Sequence, residues 1–251
     1  MIPTPIRQVL STIQASGTRA LLMGGQACVF YGAAQFSKDI DFLVSDEEEN
    51  ISKLDFALKQ LQAKQVSFVP FDQSVLHRGH AANFRCASPD LRGLRIDIIC
   101  THRNLPEFHD LWDRRTEFGD LSEVGCPLLS ITDLVESKKT QRPRDWPVIE
   151  ALVTFHNACQ TGFAARQWID FWLLQGRSAE FLSDLVQRFS SEVPRLAEKR
   201  PLLNLAVSGD LPRLREALDA EVRAEQEKDR LYWEPLKREM EEFRRLERLS
   251  Q

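Results

Sequence analysis

No stretch of this sequence approaches the roughly 18 consecutive apolar residues that a membrane-spanning helix requires, although 43% of its residues are hydrophobic. No membrane partner is therefore expected. The first fourteen residues, MIPTPIRQVLSTIQ, lack the basic start and apolar block of a secretory leader, so a cytoplasmic location is expected. Cysteine follows no framework. Cys28, Cys86, Cys100, Cys126 and Cys159 are odd in number, widely spaced and mostly in apolar surroundings, which reads as buried reduced thiols and not as a disulfide frame or a zinc site. Positive charge is not in excess either. A net charge of −4 weighs against a broad nucleic-acid surface, which depends on clustered Lys and Arg, but leaves room for a local basic groove. His77 and His80 in HRGH, with His102 and His109, have no cysteine or acidic pattern to complete a metal site and read as loop histidines. Nothing repeats and no segment is low in complexity. What remains is a globular chain of 251 residues, long enough for one large domain or two modest ones.

What is present concentrates in residues 21–44, LLMGGQACVFYGAAQFSKDIDFLV. An apolar run ends in Gly24 and Gly25, a short helical pattern spans Gln26–Tyr31, and a second strand opens on Asp39-Ile40-Asp41. Side chains alternate across a strand, so Asp39 and Asp41 project from one face, about 6–7 Å apart, while Ile40 and Phe42 point into a core. At an effective dielectric of about 20 their repulsion is ~2–3 kcal/mol, which solvent or a cation must relieve. Mg²⁺ suits such a pair, since it takes oxygen ligands from one or two carboxylates plus substrate phosphates. A solvated strand end is the alternative reading of the same D-x-D. Further on, LRIDII at 94–99 carries Asp97 between two isoleucines. An aspartate in an apolar strand must be paired or metal-bound, and Arg95, its same-face neighbour, is the structural partner.

Along the chain, Thr4-Pro5 starts a helix with Ile6, Val9, Leu10 and Ile13 at helical spacing until Gly17, and Arg19–Met23 is the first strand. Ser37 stands two residues before Asp39, where its hydroxyl either reaches a phosphate or caps the turn. The acidic run at 46–50 opens a helix whose buried stripe is Ile51, Leu54, Leu58 and Leu61. Val66–Val69 reads as a strand, and Asn83–Ala87 and Leu94–Cys100 as two more joined by the SPDLRG turn. Residues 105–118 are amphipathic without a clear element, and Val124–Leu129 reads as a last short strand. From Ser130 the pattern is helical. Ser130 and Asp133 form an S-x-x-D cap for a helix carrying Glu136, Lys138 and Lys139. Trp168, Phe171 and Trp172 form an aromatic stripe ending at Gly176, and Phe181, Leu182, Leu185, Val186 and Phe189 form another. Asp210 with Pro212 starts a helix, and the charged tail keeps a narrow apolar stripe of Leu236, Met240, Phe243 and Leu249 for packing on its own domain or a second subunit.

The glycine pair, the thirteen residues after it, the D-x-D and the third carboxylate resemble the signature of the DNA polymerase beta-like nucleotidyltransferase superfamily. The segment DLVESKKTQRPRDWPVIEAL resembles the stretch of minimal and abortive-infection type nucleotidyltransferases in which a helix lysine precedes an Arg-Pro-Lys-Asp-like turn. The resemblance implies an α+β fold: a small mixed-sheet catalytic core with flanking helices, residues 1–129, then an all-helical domain, residues 130–251. It implies transfer of a nucleoside monophosphate from an NTP to the hydroxyl of a tRNA, a protein or a small molecule, and a role as a toxin in a toxin–antitoxin system. Asp39, Asp41 and Asp97 would hold Mg²⁺ or Mn²⁺, with Asp97 alternatively the general base. Gly24, Gly25 and Ser37 would cradle phosphates, Lys138 would contact them, with Lys139 its register alternative, and Asp145 would lie close by. One departure stands out: many members carry R-x-[ST]-x-D-x-D, and here Gln35 replaces the arginine, so that Lys38 or a C-terminal arginine substitutes or nucleotide affinity is weaker. Three competitors remain: transfer of the terminal phosphate, a non-catalytic nucleotide-binding protein, and a toxin–antitoxin interaction protein whose helical tail pairs with a partner or a second copy.

Overall fold

The structure, a computed structural model, describes residues 4–91, 93–118 and 126–250. It has an N-terminal mixed α/β region with a seven-stranded sheet, followed by an all-helical C-terminal segment. The described residues divide into two compact units: one takes the chain to Phe30, Gln35–Ser137 and Tyr232 onward, the other Tyr31–Ala34 and Lys138–Leu231. After the brief excursion at Tyr31–Ala34, the chain passes to the second unit at Ser137/Lys138 and returns at Leu231/Tyr232.

In the first unit, α1 (Thr4–Ala15) buries Ile6, Val9, Leu10 and Ile13 as one stripe and ends before Gly17, which turns the chain at φ +73°. β1 (Ala20–Met23) is buried throughout and leads directly into α2 (Gly24–Phe30), so the helix begins at the glycine pair itself and not at Gln26. β2 (Asp39–Val44) returns antiparallel to β1. α3 (Glu48–Gln60) has two acidic residues in its first turn, where the helix dipole favours them. Its Leu54 and Leu58 are buried, but Ile51 is only half-buried because Asn50 turns inward. That amide accepts the Arg19 N–H (2.7 Å) and donates to the Ser45 carbonyl (2.8 Å), tying the start of α3 to the strand ends.

β3 occupies Ala63–Gln65 and not Val66–Val69. Gln62, at φ +51°, turns the chain early, so the ladder with β4 (Ala82–Cys86) runs along Ala63–Gln65 and closes with the Val66 N–H on the Asn83 carbonyl (2.8 Å). Ser67 there accepts the Asn83 N–H through its hydroxyl (3.1 Å), and the Gln65 amide donates to the Val69 carbonyl. α4 (Gln73–His77) precedes β4. β5 (Arg95–Ile99) follows a single 3-10 turn at Pro89–Leu91; Arg92 of the expected turn lies outside the described residues. The stretch without a clear pattern contains α5 (Phe108–Asp113) and β6 (Thr116–Phe118). β7 (Cys126–Leu128) matches the expected last strand, of which Val124 and Gly125 lie outside the described residues. The sheet order is β3-β4-β5-β2-β1-β7-β6, parallel at β2–β5 and β1–β7. Ser130 caps α6 (Ile131–Ser137), accepting the Asp133 N–H (3.2 Å) and donating to its carboxylate (2.6 Å). The helix stops at Ser137, so Lys138 and Lys139 sit beyond it and not on it.

The histidines are not simply loop residues. His77 ends α4 and pairs with Asp46 (2.6 Å), and His109 lies in α5. His80 has a fully buried side chain, and its Nε2 bonds Glu239 (2.9 Å), which also accepts from Arg78 Nε (3.0 Å). Glu239 lies in α12 (Leu211–Ser250), in the part that belongs to the first unit. The Phe243 ring meets the imidazole edge-on at 5.5 Å, and a Cβ on Gly79, at φ +100°, would come within 2.5 Å of the Tyr232 hydroxyl. HRGH is thus the socket for a helix seam of Tyr232, Leu236, Glu239 and Phe243. Leu249, expected on that stripe, is 74% exposed.

In the second unit, α7 (Trp146–Cys159) is followed by α8 (Arg166–Gln175), α9 (Ala179–Arg188), α10 (Val193–Ala197) and α11 (Leu203–Ser208), and then by the start of α12. The two expected stripes form its core: Phe171 and Trp172 on α8, which ends at Gly176, and Leu182, Leu185 and Val186 on α9. Buried Arg200 donates to the Leu173 and Gly176 carbonyls (2.8 and 2.9 Å) at the end of α8 and pairs with Glu221 (2.8 Å). Trp172 Nε1–H donates to His156 Nδ1 (3.0 Å), and burial lowers the pKa of that imidazole.

Four cysteines are buried, Cys159 is exposed, and none of the five is in a disulfide. Burial pushes the Cys100 and Cys126 thiols up to about 12, so they stay protonated. Among the described residues no helix is long and apolar enough to cross a membrane.

Two outcomes are expected. Glu239→Ala strips buried His80 of its partner and should lower the unfolding free energy by about 1–3 kcal/mol in urea titrations, whereas the exposed Glu242→Ala should stay within about 0.5 kcal/mol of the parent. Because the folded state holds the His156 pKa below its ordinary 6.5, this group's contribution is present above that value and is lost as pH falls toward the folded pKa. His156→Gln, which keeps an acceptor without titrating there, should flatten the fall in thermal midpoint between about pH 7 and 5.

Candidate functional site

The site is assembled by strand register. β2 pairs with β5 so that Asp39 lies opposite Arg95 and Asp41 opposite Asp97; β4 pairs with β5 so that Asn83 lies opposite Asp97 and Arg85 opposite Arg95. Ile40, Phe42, Ala82, Phe84, Ile96 and Ile98 are buried. By alternation, Asp39, Asp41, Asn83, Arg85, Arg95 and Asp97 share the other face. All three carboxylates singled out in the sequence thus come to one face of two adjoining strands.

Asp97 is not left alone there. Asn83 Nδ2 donates to its Oδ1 (2.7 Å), and Arg95 Nε donates to the same oxygen (2.8 Å). That bond holds the Arg95 pKa above the ordinary arginine value against the desolvation that opposes it, and the negative charges of Asp97, Asp39 and Asp41 add to the effect. Arg95 is therefore bonded to Asp97 and lies within electrostatic reach of Asp39 and Asp41. Among the described residues no three His, Cys, Asp or Glu side chains form a group that could hold a metal ion. The structural partner foreseen for Asp97 is in place. Asn83, the second one, was missed; its signal was the hairpin register, which puts it directly across from Asp97.

The glycine pair serves this same face. Gly24 stands at φ +66°, and a Cβ there would lie 1.8 Å from Asp41 Oδ2; a Cβ on Gly25 would lie 2.6 Å from Ser37 Oγ. Ser37 itself donates to the Asp39 carbonyl (3.0 Å), the turn-capping alternative of the two foreseen for it. Gln35 and Lys38 are both exposed.

Lys138 and Asp145 belong to the second unit, where the structure brings them to 3.9 Å of each other. Thr140 donates to the buried Asp145 carboxylate (2.6 Å), Trp146 Nε1–H donates to the Thr140 carbonyl (3.0 Å), and the Gln141 N–H is held by buried Asp229 (2.8 Å). These bonds fix a loop from which Arg142 and Arg144 project into solvent. In comparison with known proteins, the chain matches no family model and no curated protein.

Gly24→Ala should destabilise the fold through both its backbone conformation and the overlap with Asp41. In an Asp41→Gly background only the backbone part remains, about 1 kcal/mol. A double-mutant cycle by chemical denaturation should therefore give a clear coupling energy; additive effects would show that Gly24 and Asp41 do not meet.

Proposed function

We propose that the chain is a divalent-cation-dependent nucleotidyltransferase, moving a nucleoside monophosphate from an NTP to an acceptor hydroxyl in the cytoplasm. The observation that carries this reading is the register of Asp41 against Asp97, with Asp39 on the same face and Asp41 packed against the glycine turn. The donor set fits a hard cation in kind: carboxylate oxygens only, on partly solvated strand positions. Asp39, Asp41 and Asp97 would hold Mg²⁺ or Mn²⁺, which when bound neutralises triphosphate charge and makes a coordinated hydroxyl more acidic.

The chain's own residues would do the rest. Gly24 and Gly25 add no side chain where Asp41 and Ser37 lie, so both can stay where they are. Asp97, held in place by Asn83, can take the acceptor's proton as general base. Arg95 brings the positive charge that Gln35 does not, and fixed charge of that kind supplies most of the assistance in phosphoryl chemistry. The acceptor is a tRNA, a protein or a small molecule, and a toxin–antitoxin setting is the context the family resemblance suggests.

A second reading, nucleotide binding without transfer, is favoured by one observation: Asp97 is bonded to Arg95 and Asn83. Incubation with α-labelled NTPs, Mg²⁺ and cell extract separates the two. Label entering RNA, protein or small molecules supports transfer, and Asp39→Ala and Asp41→Ala should each abolish it without unfolding the protein. Transfer retained in both variants would refute the reading. A Mg²⁺-dependent thermal shift with an NTP but no labelling would favour binding alone, and neither response would leave an interaction protein.

A further inference from the structure

We propose that the first unit carries a binding site for a small aromatic carboxylate, in an apolar cleft that Arg19 supplies with its one positive charge. The inference goes beyond the nucleotidyltransferase reading and does not rest on it, because the cleft lies on the face of the sheet opposite Asp39 and Asp41.

That placement follows from register. Leu22 pairs with Phe42 across β1 and β2 and with Leu128 across β1 and β7, so Ala20, Phe42 and Cys126 share one face by alternation while Asp41 takes the other. Leu10 and Ile13 of α1 and Trp112 of α5 line the cleft with them. Its volume is about 280 Å³, close to the ~300 Å³ at which pockets begin to hold small molecules. Gln14 and Gly17, which also line it, are exposed, so the cleft has an open rim.

Charge selects the occupant. Among the described residues that line the cleft, Arg19 alone is charged. Its backbone is clamped by Asn50, which accepts the Arg19 N–H (2.7 Å) and donates to the Arg19 carbonyl (3.2 Å). Its guanidinium lies over the rings of Trp112 and Phe108, 5.2 and 5.4 Å from their centroids. The head is thus held in place, yet its donors are underused. Its ion pair with Glu47 is 3.6 Å long, with 65% of the glutamate side chain exposed, and the buried Nε–H meets no acceptor. An exposed pair of that kind contributes little, so a carboxylate that also buries an apolar body competes well against it. A cation would be repelled by Arg19, and a polyphosphate would press unpaired charge against apolar walls. A fused aromatic ring with one carboxylate meets both demands, with apolar area for Phe42 and Trp112 and two oxygens for the guanidinium fork.

Isothermal titration of the full chain with 2-naphthoate and with its neutral counterpart 2-naphthamide tests the site. The parent should bind 2-naphthoate about tenfold more tightly than the amide, the difference that a charge-assisted bond makes. Arg19→Met should erase that preference by weakening 2-naphthoate alone. Glu47→Gln, which removes the competing carboxylate, should tighten 2-naphthoate about two- to fivefold. Ala20→Leu, which fills the cleft from β1, should abolish binding of both compounds; where that variant does not fold, Gln14→Trp at the rim takes its place. No binding of 2-naphthoate by the parent, or no preference for it over the amide, overturns the proposal. So does a preference that survives Arg19→Met or, should the methionine variant not fold, unchanged binding in Glu47→Gln. Undiminished binding in the folded cleft variant puts the ligand elsewhere and overturns the site.

Discussion

The parallel pairing of β2 with β5 is the constraint on which the candidate site depends. A slip of one residue would send every side chain of a strand to the opposite face, so the register is only as firm as the apolar residues that fix it. Ile40, Phe42, Ile96 and Ile98 are buried almost completely, and each contributes about 1.5–3 kcal/mol by leaving water. Repulsion between neighbouring carboxylates costs about 2–3 kcal/mol at an effective dielectric of about 20. Four buried side chains together exceed the cost of any one such pair, so the apolar face sets the register against the repulsion. What it cannot do is offset the carboxylates' charge, and Arg95 offsets the part that Asp97 carries.

The twin glycine and the D-x-D, which look in the sequence like two separate signals, act in the fold as one. β1 meets β2 with Met23 opposite Asp41, and the chain must turn into α2 where the Asp41 carboxylate lies. Only a residue with no Cβ and access to positive φ fits Gly24. The pair therefore has a structural reason to be glycine before any phosphate is considered. Gly25 has no such backbone demand; there a Cβ would meet the Ser37 hydroxyl at 2.6 Å.

Much of this was legible in the sequence, because alternation is local. DIDFLV and RIDII each state which residues face the core, and Arg95 as partner to Asp97 follows from a spacing of two. The apolar periodicity of α1, α8 and α9 was equally direct. What could not be read depends on partners far along the chain. Asn83 faces Asp97 only once a hairpin register is known, and Asn50 displaces Ile51 from the buried stripe because strand-end backbone groups of Arg19 and Ser45 need its amide. Val66–Val69 has the composition of a strand, yet the turn at Gln62 had already spent the pairing on Ala63–Gln65. Lys138 follows a good helix pattern but falls just past Ser137, where the helix gives way to a turn held by its own side-chain bonds.

The least legible feature is how HRGH bears on the site. His80 stands three residues before Asn83, and β4 begins between them at Ala82. His80 is held by Glu239, and its neighbour Gly79 leaves no room for a side chain beneath Tyr232. The seam on α12 therefore fixes the entry to β4, and with it the amide that holds Asp97 Oδ1. His80 Nδ1 already has no hydrogen-bond partner among the described residues, so loss of Glu239 would leave both ring nitrogens buried and unpaired. The helix thus supplies to β4 what the sheet cannot supply from its own edge. A helix more than a hundred residues away in sequence thus holds the histidine that stands just before β4, the strand whose Asn83 bonds Asp97.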